Sequence, residues 1–437
     1  MPSTLVEKLA AVVGPDHVAT GVALSPYVIE GRTPEAAVFP GTVDDVRAVL
    51  GVAAALAVPV VPWGGGTAAG VGMPTTWSGL VLGLGRLNRI LEHEPGDLTV
   101  TAEAGVTIAQ LQAALGAKGQ WLSLDPPDAD RATVGGVIAA NASGPRRHLY
   151  GTARDLLIGV SVVTAEGEVV RGGGKVVKNV AGYDLPKLYI GSYGTLGIVV
   201  EATFKLRPRP DDERFVPVML SSVKDAGAAL RSVMGSDLVP TVLELLDADA
   251  ARALGVTAAA ALVVGFDGLT EQIDWQATEL ARIAAAHGGR TGAALGGGAT
   301  ARLATAARDA CPAAASVMRL SVLPTQVAET IEHGGAAAKA RGLTSAWSAH
   351  AGVGVVTAVL AAPDVARATD IAAVLGEWRG VARAGGGFAT LEWAPLAVKA
   401  SVPVWDDLGA AGRVMQRIKA ELDPNNLLNP GRFVGGM

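Results

Sequence analysis

Cysteine is almost absent: Cys311 is the single one in 437 residues. No intrachain disulfide and no cysteine-built zinc or iron–sulfur site is possible. Histidine is scarce as well, and no two of His17, His93, His148, His287, His333 and His350 stand at metal-ligand spacing. Only 18% of residues are charged, and acids outnumber bases by 41 to 36. A mildly acidic chain has no global attraction for nucleic acid or for an anionic membrane surface. No apolar run is long enough to span a bilayer; the longest, Ala48 to Pro62, is interrupted by Pro59. The start, Met1 to Lys8, reads as an amphipathic helix over 3–13 and not as a signal peptide. A cytoplasmic location is expected, with membrane association only through a partner subunit and no direct insertion.

Half of the residues are apolar, ample for a buried core, and the length suggests two or three domains. Glycine numbers 56, against roughly 31 at ordinary usage of about 7%. Triple glycines at 64–66, 172–174, 296–298 and 385–387 show no fixed period. The excess therefore serves turns and close backbone approach. Ala36 to Pro40 predicts a strand, and Thr42 predicts the cap of a helix carrying Val43, Val46, Val49, Leu50 and Ala54. Pro59 to Pro62 then reads as a buried strand running into glycines, a β-α-β unit. Further strands are expected at 80–82, 98–103, 160–164, 168–171 and 198–206, with helices after Thr107 and Thr133. Arg207-Pro208-Arg209-Pro210-Asp211-Asp212-Glu213 is the best domain boundary. Beyond it, alanine-rich helices alternate with strands, which suits a smaller α+β domain.

Gly64-x-Gly66-x-x-Ala69 formally matches a dinucleotide fingerprint, but Gly70, Gly72 and Pro74 forbid the helix that motif requires, and no acid stands about 20 residues on. Lys175 follows three glycines but precedes Val176, so there is no Walker A sequence, and no nucleophile-elbow serine is present. Three glycine-rich places remain. Gly64-Gly65-Gly66-Thr67 after a strand suits inward-turned N–H groups that accept an anion, or a tight loop between sheets. Thr133-Val134-Gly135-Gly136 through Asn141-Ala142-Ser143-Gly144 suggests a short helix with free N–H groups at its start and room for a flat ring, or close helix packing. Gly191 to Gly197 leads into a strand at Ile198 whose first backbone groups suit an adenine edge or amide, or into a bulge and turn.

These segments, in this order, resemble the FAD-binding domain of the vanillyl-alcohol-oxidase-type flavoproteins over roughly residues 30–210. The match is specific in Pro62-Trp63-Gly64-Gly65-Gly66-Thr67, in Gly135-Gly136 with Asn141-Ala142-Ser143-Gly144, and in Gly182 to Ile198; Leu422 to Phe433 is similar to the family's C-terminus. Pro145 to Asp155 and Gly173 to Asp184 look most like the FAD-binding subunits of bacterial glycolate oxidases. The resemblance implies an α+β architecture. A two-lobed FAD-binding domain would occupy 1–210, a smaller α+β cap 214–400, and a returning segment 401–437. It assigns FAD contacts to Pro62, Trp63, Gly64, Gly65, Gly66, Thr67, Pro126, Thr133, Gly135, Gly136, Asn141, Ser143, Gly144, Arg147, Tyr150, Gly194, Gly197, Ile198 and Asn429. Covalent attachment in such proteins commonly uses a histidine in the pyrophosphate loop; Thr67-Ala68-Ala69 has none, so non-covalent FAD is expected.

Relatives that assist catalysis with a metal carry G-H-x-G-D-G-N-x-H in the cap. Here the stretch is Ala349-His350-Ala351-Gly352-Val353-Gly354-Val355-Val356-Thr357. Valine supplies no ligand, and no metal is expected. Oxidising a 2-hydroxy acid requires a cation for its carboxylate, a base for its hydroxyl proton, and a hydride acceptor, flavin N5. Arg319 resembles the carboxylate-binding cap arginine, or is a surface strand residue. His350 reads as the base, or as a hydrogen-bonded histidine at a strand start. Lys178 is assigned to charge at the ring. Glu392 reads as a buried or paired acid, and Arg146, Arg147 and Arg432 as phosphate-facing or solvated. The resemblance implies a small 2-hydroxy acid substrate, with a second flavin subunit and an iron–sulfur subunit as partners. A free-standing dehydrogenase and a non-catalytic flavin scaffold are the alternatives.

Overall fold

Local capping chemistry sets the first elements. Thr42 Oγ1 accepts the Asp45 N–H at 3.1 Å, and the Asp45 carboxylate accepts the N–H groups of Gly41 and Thr42 at 2.9 and 3.0 Å. This reciprocal cap starts helix Val43–Ala55, which buries Val46, Val49, Leu50 and Ala53. Thr107 and Gln110 repeat the device at helix Ile108–Gly116. The computed structural model describes residues 4–75, 77, 79–175, 183–311, 314–362 and 367–437. Among them, no helix is long and apolar enough to cross a membrane.

The chain divides into two units: Met1–Ser143, Thr152–Arg209 and Asp407–Met437 form the first, and Gly144–Gly151 with Pro210–Asp406 the second. The break at 209/210 falls inside the proline-rich charged stretch. The first unit holds two larger sheets and a two-stranded pair, Gln120–Trp121 with Arg207–Pro208. One has four strands in the order Val18–Ala19, Ala36–Val38, Leu80–Gly83, Val60–Trp63, the last three mutually parallel. Parallel neighbours require a crossover, and helix Val43–Ala55 supplies the one between Ala36–Val38 and Val60–Trp63. The other sheet is antiparallel, in the order Ile90–Glu94, Thr99–Glu103, Ile198–Lys205, Leu157–Val163, Val169–Gly173. The strands expected at 160–164 and 168–171 form a hairpin, with Val163 opposite Val169. A single apolar cluster, from Leu5 to Leu428, includes strands of both sheets.

The second unit is one eight-stranded antiparallel sheet: Arg290–Thr291, Asp212–Leu220, Ala260–Gly268, Val242–Asp247, Thr344–His350, Val355–Ala361, Ala314–Ser321, Phe388–Trp393. Helices Val327–Ala340 and Ala368–Ala384 pack on one face, where Trp347 and Trp378 meet edge to face at 4.7 Å and Trp378 donates to the Gly334 carbonyl. A Cβ at Gly334 would collide with the Trp347 ring, so only glycine permits this approach. Helices Ala248–Ala253 and Ala299–Ala310 cover part of the opposite face through Ala250, Ala251, Leu303 and Ala306.

Asp247 ends a strand and caps helix Ala248–Ala253 by accepting the Ala250 N–H at 2.9 Å. Burial pushes its carboxyl up to about 6 from an ordinary 3.8. A raised folded-state value means that the folded chain binds more protons. This contribution to stability is therefore complete below about pH 4 and is lost as pH rises through about 6. D247N keeps a capping oxygen and removes the titration. Urea unfolding across this window is expected to show a flatter pH dependence in D247N, by up to about 1.4 kcal/mol per pH unit.

Candidate functional site

In the first unit, strand Val60–Trp63 delivers the chain into Gly64-Gly65-Gly66. A Cβ at Gly64 would strike Thr133 Oγ1, one at Gly65 the Arg131 carbonyl, and one at Gly66 the Trp63 ring at 2.6 Å. Gly66 also has φ +70°, a backbone region where a side chain is strained. The glycines thus let this loop lie directly on residues 131–133. No helix follows; residues 67–70 form turns. Among the described residues, the N–H groups of Gly65, Gly66 and Thr67 meet no acceptor.

Helix Val134–Ala140 starts at Thr133, as expected, with Thr133 Oγ1 accepting the Gly136 N–H at 3.3 Å. Its first N–H groups are not free, which corrects the sequence reading. Val134 donates to the Val106 carbonyl and Gly135 to that of Ala104, both at 2.8 Å. A Cβ at Gly135 would stand 2.8 Å from the Ala104 Cβ, so this glycine serves close packing. The helix instead offers its C-terminal end. Asn141 takes the left-handed conformation, φ 48°. The Gly191 and Tyr193 N–H groups bond to the Ile138 and Ala139 carbonyls at 3.0 and 2.8 Å, seating the third loop against that end. Gly194, φ +69°, lies against Pro62, where a Cβ would meet Cγ at 2.9 Å. The three loops therefore converge. Gly197 is packed on Val162, and Ile198 opens strand Ile198–Lys205. Pro126 is buried in the corner before this region.

The C-terminal segment joins the same place. Leu428 bridges Val60 in parallel, and the Asn429 N–H donates to the Val60 carbonyl at 2.8 Å. The Asn429 amide nitrogen donates to the Tyr193 carbonyl at 2.8 Å. Three polar atoms here are buried with no hydrogen-bond partner: Asn141 Oδ1, Ser143 Oγ and Asn429 Oδ1. Buried polar atoms in folded proteins are ordinarily satisfied. Such atoms bordering glycine-built loops with undonated N–H groups fit a polar, diphosphate-linked ligand of the FAD type. Arg432 does not face solvent. It is buried and donates to the Ala69, Val71 and Met73 carbonyls, bracing the chain that follows the glycine loop.

Gly144, Arg147 and Tyr150 belong to the second unit, not to the first as their place in 1–210 predicts. The reason is electrostatic. Arg146 pairs with Glu213, and Tyr150 donates to Asp267 at 2.6 Å. The positive charge of Arg147 acts on buried Glu244. These acids come from three adjacent strands, with Glu213 directly opposite Asp267. His148 lies against Gly352, and burial pushes its imidazole down from its ordinary value.

On the same sheet, His350 ends strand Thr344–His350 and its Nδ1 stands 2.6 Å from Glu244 Oε1. Glu244 is 1% exposed, and burial raises its carboxyl despite the opposing pull of His350 and Arg147. Arg319 pairs with Glu392 at 2.5 Å. Direct cross-strand partners share a sheet face, and the register Glu244–His350–Val355–Ser321 puts Arg319 on the His350 side. Two strand spacings and an offset of two residues along the strand separate them, roughly 12 Å. Thr357, at the position of the motif's last histidine, lies directly opposite Arg319. Among the described residues, no three His, Cys, Asp or Glu side chains gather as a metal site. Lys178 lies outside the described residues.

Sequence reasoning missed Glu244, Lys419 and Asp423. A lone acid inside Val242-Leu243-Glu244-Leu245-Leu246 was a usable signal, because a charge in an apolar strand needs a partner. Lys419 and Asp423 sit four apart on a polar helix, the pattern of an ordinary surface pair.

Comparison with known proteins places this geometry. Residues 34–173 match the FAD binding domain family, and residues 209–433 match the family of FAD linked oxidases, C-terminal domain. The chain is 36% identical over 249 residues to glycolate oxidase subunit GlcD of Bacillus subtilis, covering 55% of this chain and 53% of that protein. It is 40% identical over 153 residues to glycolate oxidase subunit GlcE of Escherichia coli, covering 35% and 43%. With D-2-hydroxyglutarate dehydrogenase of Xanthomonas citri it shares 40% over 189 residues, covering 43% and 40%. The chain thus spans about half the length of the curated relatives it matches. In fold it is similar to p-cresol methylhydroxylase with substrate bound, with a TM-score of 0.77 at 18% identity, covering 98% of this chain and 96% of that one. With a matched C-terminal domain over half its length, an FAD-binding domain ahead of it and converging glycine loops that fit the cofactor, the chain belongs to the FAD-linked oxidases.

Proposed function

We propose that this chain is the FAD-binding subunit of a glycolate-oxidase-type complex that oxidises a small 2-hydroxy acid. The observation that carries the reading is the placing of a cation, Arg319, and a buttressed imidazole, His350, on one face of the second unit's sheet. Bound FAD supplies the acceptor for the hydride that leaves the substrate carbon. Pro62, Trp63, Gly64, Gly65, Gly66 and Thr67 form the wall for the diphosphate. Asn141, Ser143 and Asn429 offer their unpartnered oxygens, while Thr133, Gly135, Gly136, Gly194, Gly197 and Ile198 hold the surrounding backbone in place. Neither histidine nor cysteine is present in residues 62–70, which supports dissociable FAD.

Arg319 pairs with the substrate carboxylate, a charge-assisted and geometrically specific contact. To do so it shares its guanidinium between that carboxylate and Glu392. His350 takes the hydroxyl proton on Nε2, because Glu244 fixes Nδ1 and stabilises the imidazolium that results. A partner flavin subunit and an iron–sulfur subunit would carry the electrons onward. One observation favours a second reading. The Arg319–Glu392 contact already satisfies the cation, as suits a scaffold whose partner performs the chemistry.

Anaerobic addition of glycolate, D-lactate and D-2-hydroxyglutarate to the purified yellow chain separates these readings. Loss of the flavin absorption near 450 nm, roughly the usual flavin band, is expected with at least one acid. No bleaching without a partner subunit would favour the scaffold. H350Q is expected to lower the bleaching rate by about 10²- to 10⁴-fold. E244Q is expected to lower it by at least about tenfold while half-saturation by the acid changes little, the mark of an orienting group. G194V is expected to weaken FAD binding by about tenfold or more, measured by flavin fluorescence, because its Cβ has no room beside Pro62.

A further inference from the structure

We propose that Lys419 is a positioning residue of the cofactor site, acting through the backbone of the third loop. The proposal rests on the FAD reading of the first unit. Helix Ala410–Leu422 buries only one residue, and that residue is Lys419. Its ammonium has three hydrogens and three acceptors: Asp423 Oδ2 at 2.5 Å, and the Thr195 and Leu428 carbonyls, both at 2.9 Å. Asp423 has no exposed side-chain surface and accepts the N–H groups of Leu427 and Leu428, each at 2.8 Å. Every charge-bearing atom of the pair is thus matched to backbone within the first unit.

The pair is an expensive way to fasten a helix. Two buried charges lose their hydration, and apolar side chains of like volume often hold an element as well or better. What the pair adds is fixed geometry. The third loop is tied to the C-terminal segment twice, two residues apart: Asn429 binds the Tyr193 carbonyl, and Lys419 binds that of Thr195. Thr195 is 1% exposed, and its own hydroxyl donates to the Ser192 carbonyl at 2.7 Å. Between the two ties stands Gly194, packed on Pro62 at the head of the glycine loop. With its nitrogen committed to Tyr193, Asn429 presents only Oδ1, the buried atom without a partner. Lys419 therefore sets the register between the tail and the loop, and with it the placing of the Asn429 oxygen and the Gly194 backbone at the cofactor wall.

The test compares the wild-type chain with K419M/D423N, which removes both charges and keeps the volumes close. Each is stripped of flavin, then titrated with FAD; flavin fluorescence gives the Kd and visible circular dichroism the environment of the bound ring. Urea unfolding of the flavin-free proteins runs in parallel. The expected result is a Kd at least tenfold higher, with altered visible dichroism in the loaded variant, while the flavin-free variant still unfolds cooperatively. A Kd within twofold of wild type and an unchanged dichroism spectrum would overturn the proposal, leaving Lys419 as a fastening alone. If the double variant does not fold, K419Q is read in the same way. Wild-type chain that takes up no FAD would overturn the cofactor reading and this inference together.

Discussion

Close approach of backbone to backbone is the constraint on which the first unit depends. The loop after strand Val60–Trp63 lies so near residues 131–133 that side chains at Gly64 and Gly65 would overlap the Thr133 hydroxyl and the Arg131 carbonyl. That contact brings together two segments about 70 residues apart in the chain. The third loop then seats on the far end of helix Val134–Ala140, and the tail pairs with the edge of strand Val60–Trp63. Polar atoms left over after this packing are the ones available to a ligand. The cofactor wall is what the backbone has not already used on itself.

The second unit works by a different principle. Its sheet carries helices on both faces, and the face under helices Ala248–Ala253 and Ala299–Ala310 also bears acids with specific opposite numbers. Glu213, Glu244 and Asp267 receive Arg146, Arg147 and Tyr150 from Gly144–Gly151, and Glu244 also holds His350. One buried carboxylate thus feels the positive charge of Arg147 and orients an imidazole. Burial raises the Glu244 carboxyl, and His350 and Arg147 oppose that shift. Loss of either partner leaves the buried carboxyl less well compensated.

Much of this was legible in the residues. Thr42-x-x-Asp45 and Thr107-x-x-Gln110 announce helix starts through local bonds, and the proline-rich stretch at 207–213 marks the break between units. The glycine runs and their order carried the family resemblance. Three features were not legible, each because its cause lies far along the chain. The helix after Thr133 loses its free N–H groups to carbonyls of Ala104 and Val106. Arg147 and Tyr150 leave the unit that their neighbours belong to because their acids arrive about 100 residues later. Lys419 reads as a surface residue until Thr195, more than 200 positions upstream, is seen to receive it.

The first unit is discontinuous, and its final piece, Asp407–Met437, follows the whole of the second. During synthesis the ribosome has made all three glycine-rich loops long before it makes Asn429. Until then the strand edge at Val60, which Leu427 and Asn429 later occupy, stays open to whatever else pairs with it. Synthesis of Asn429 is therefore the earliest moment at which flavin loading finds its full wall, and a chain that stopped short of it would carry all three glycine-rich loops and an unfinished berth.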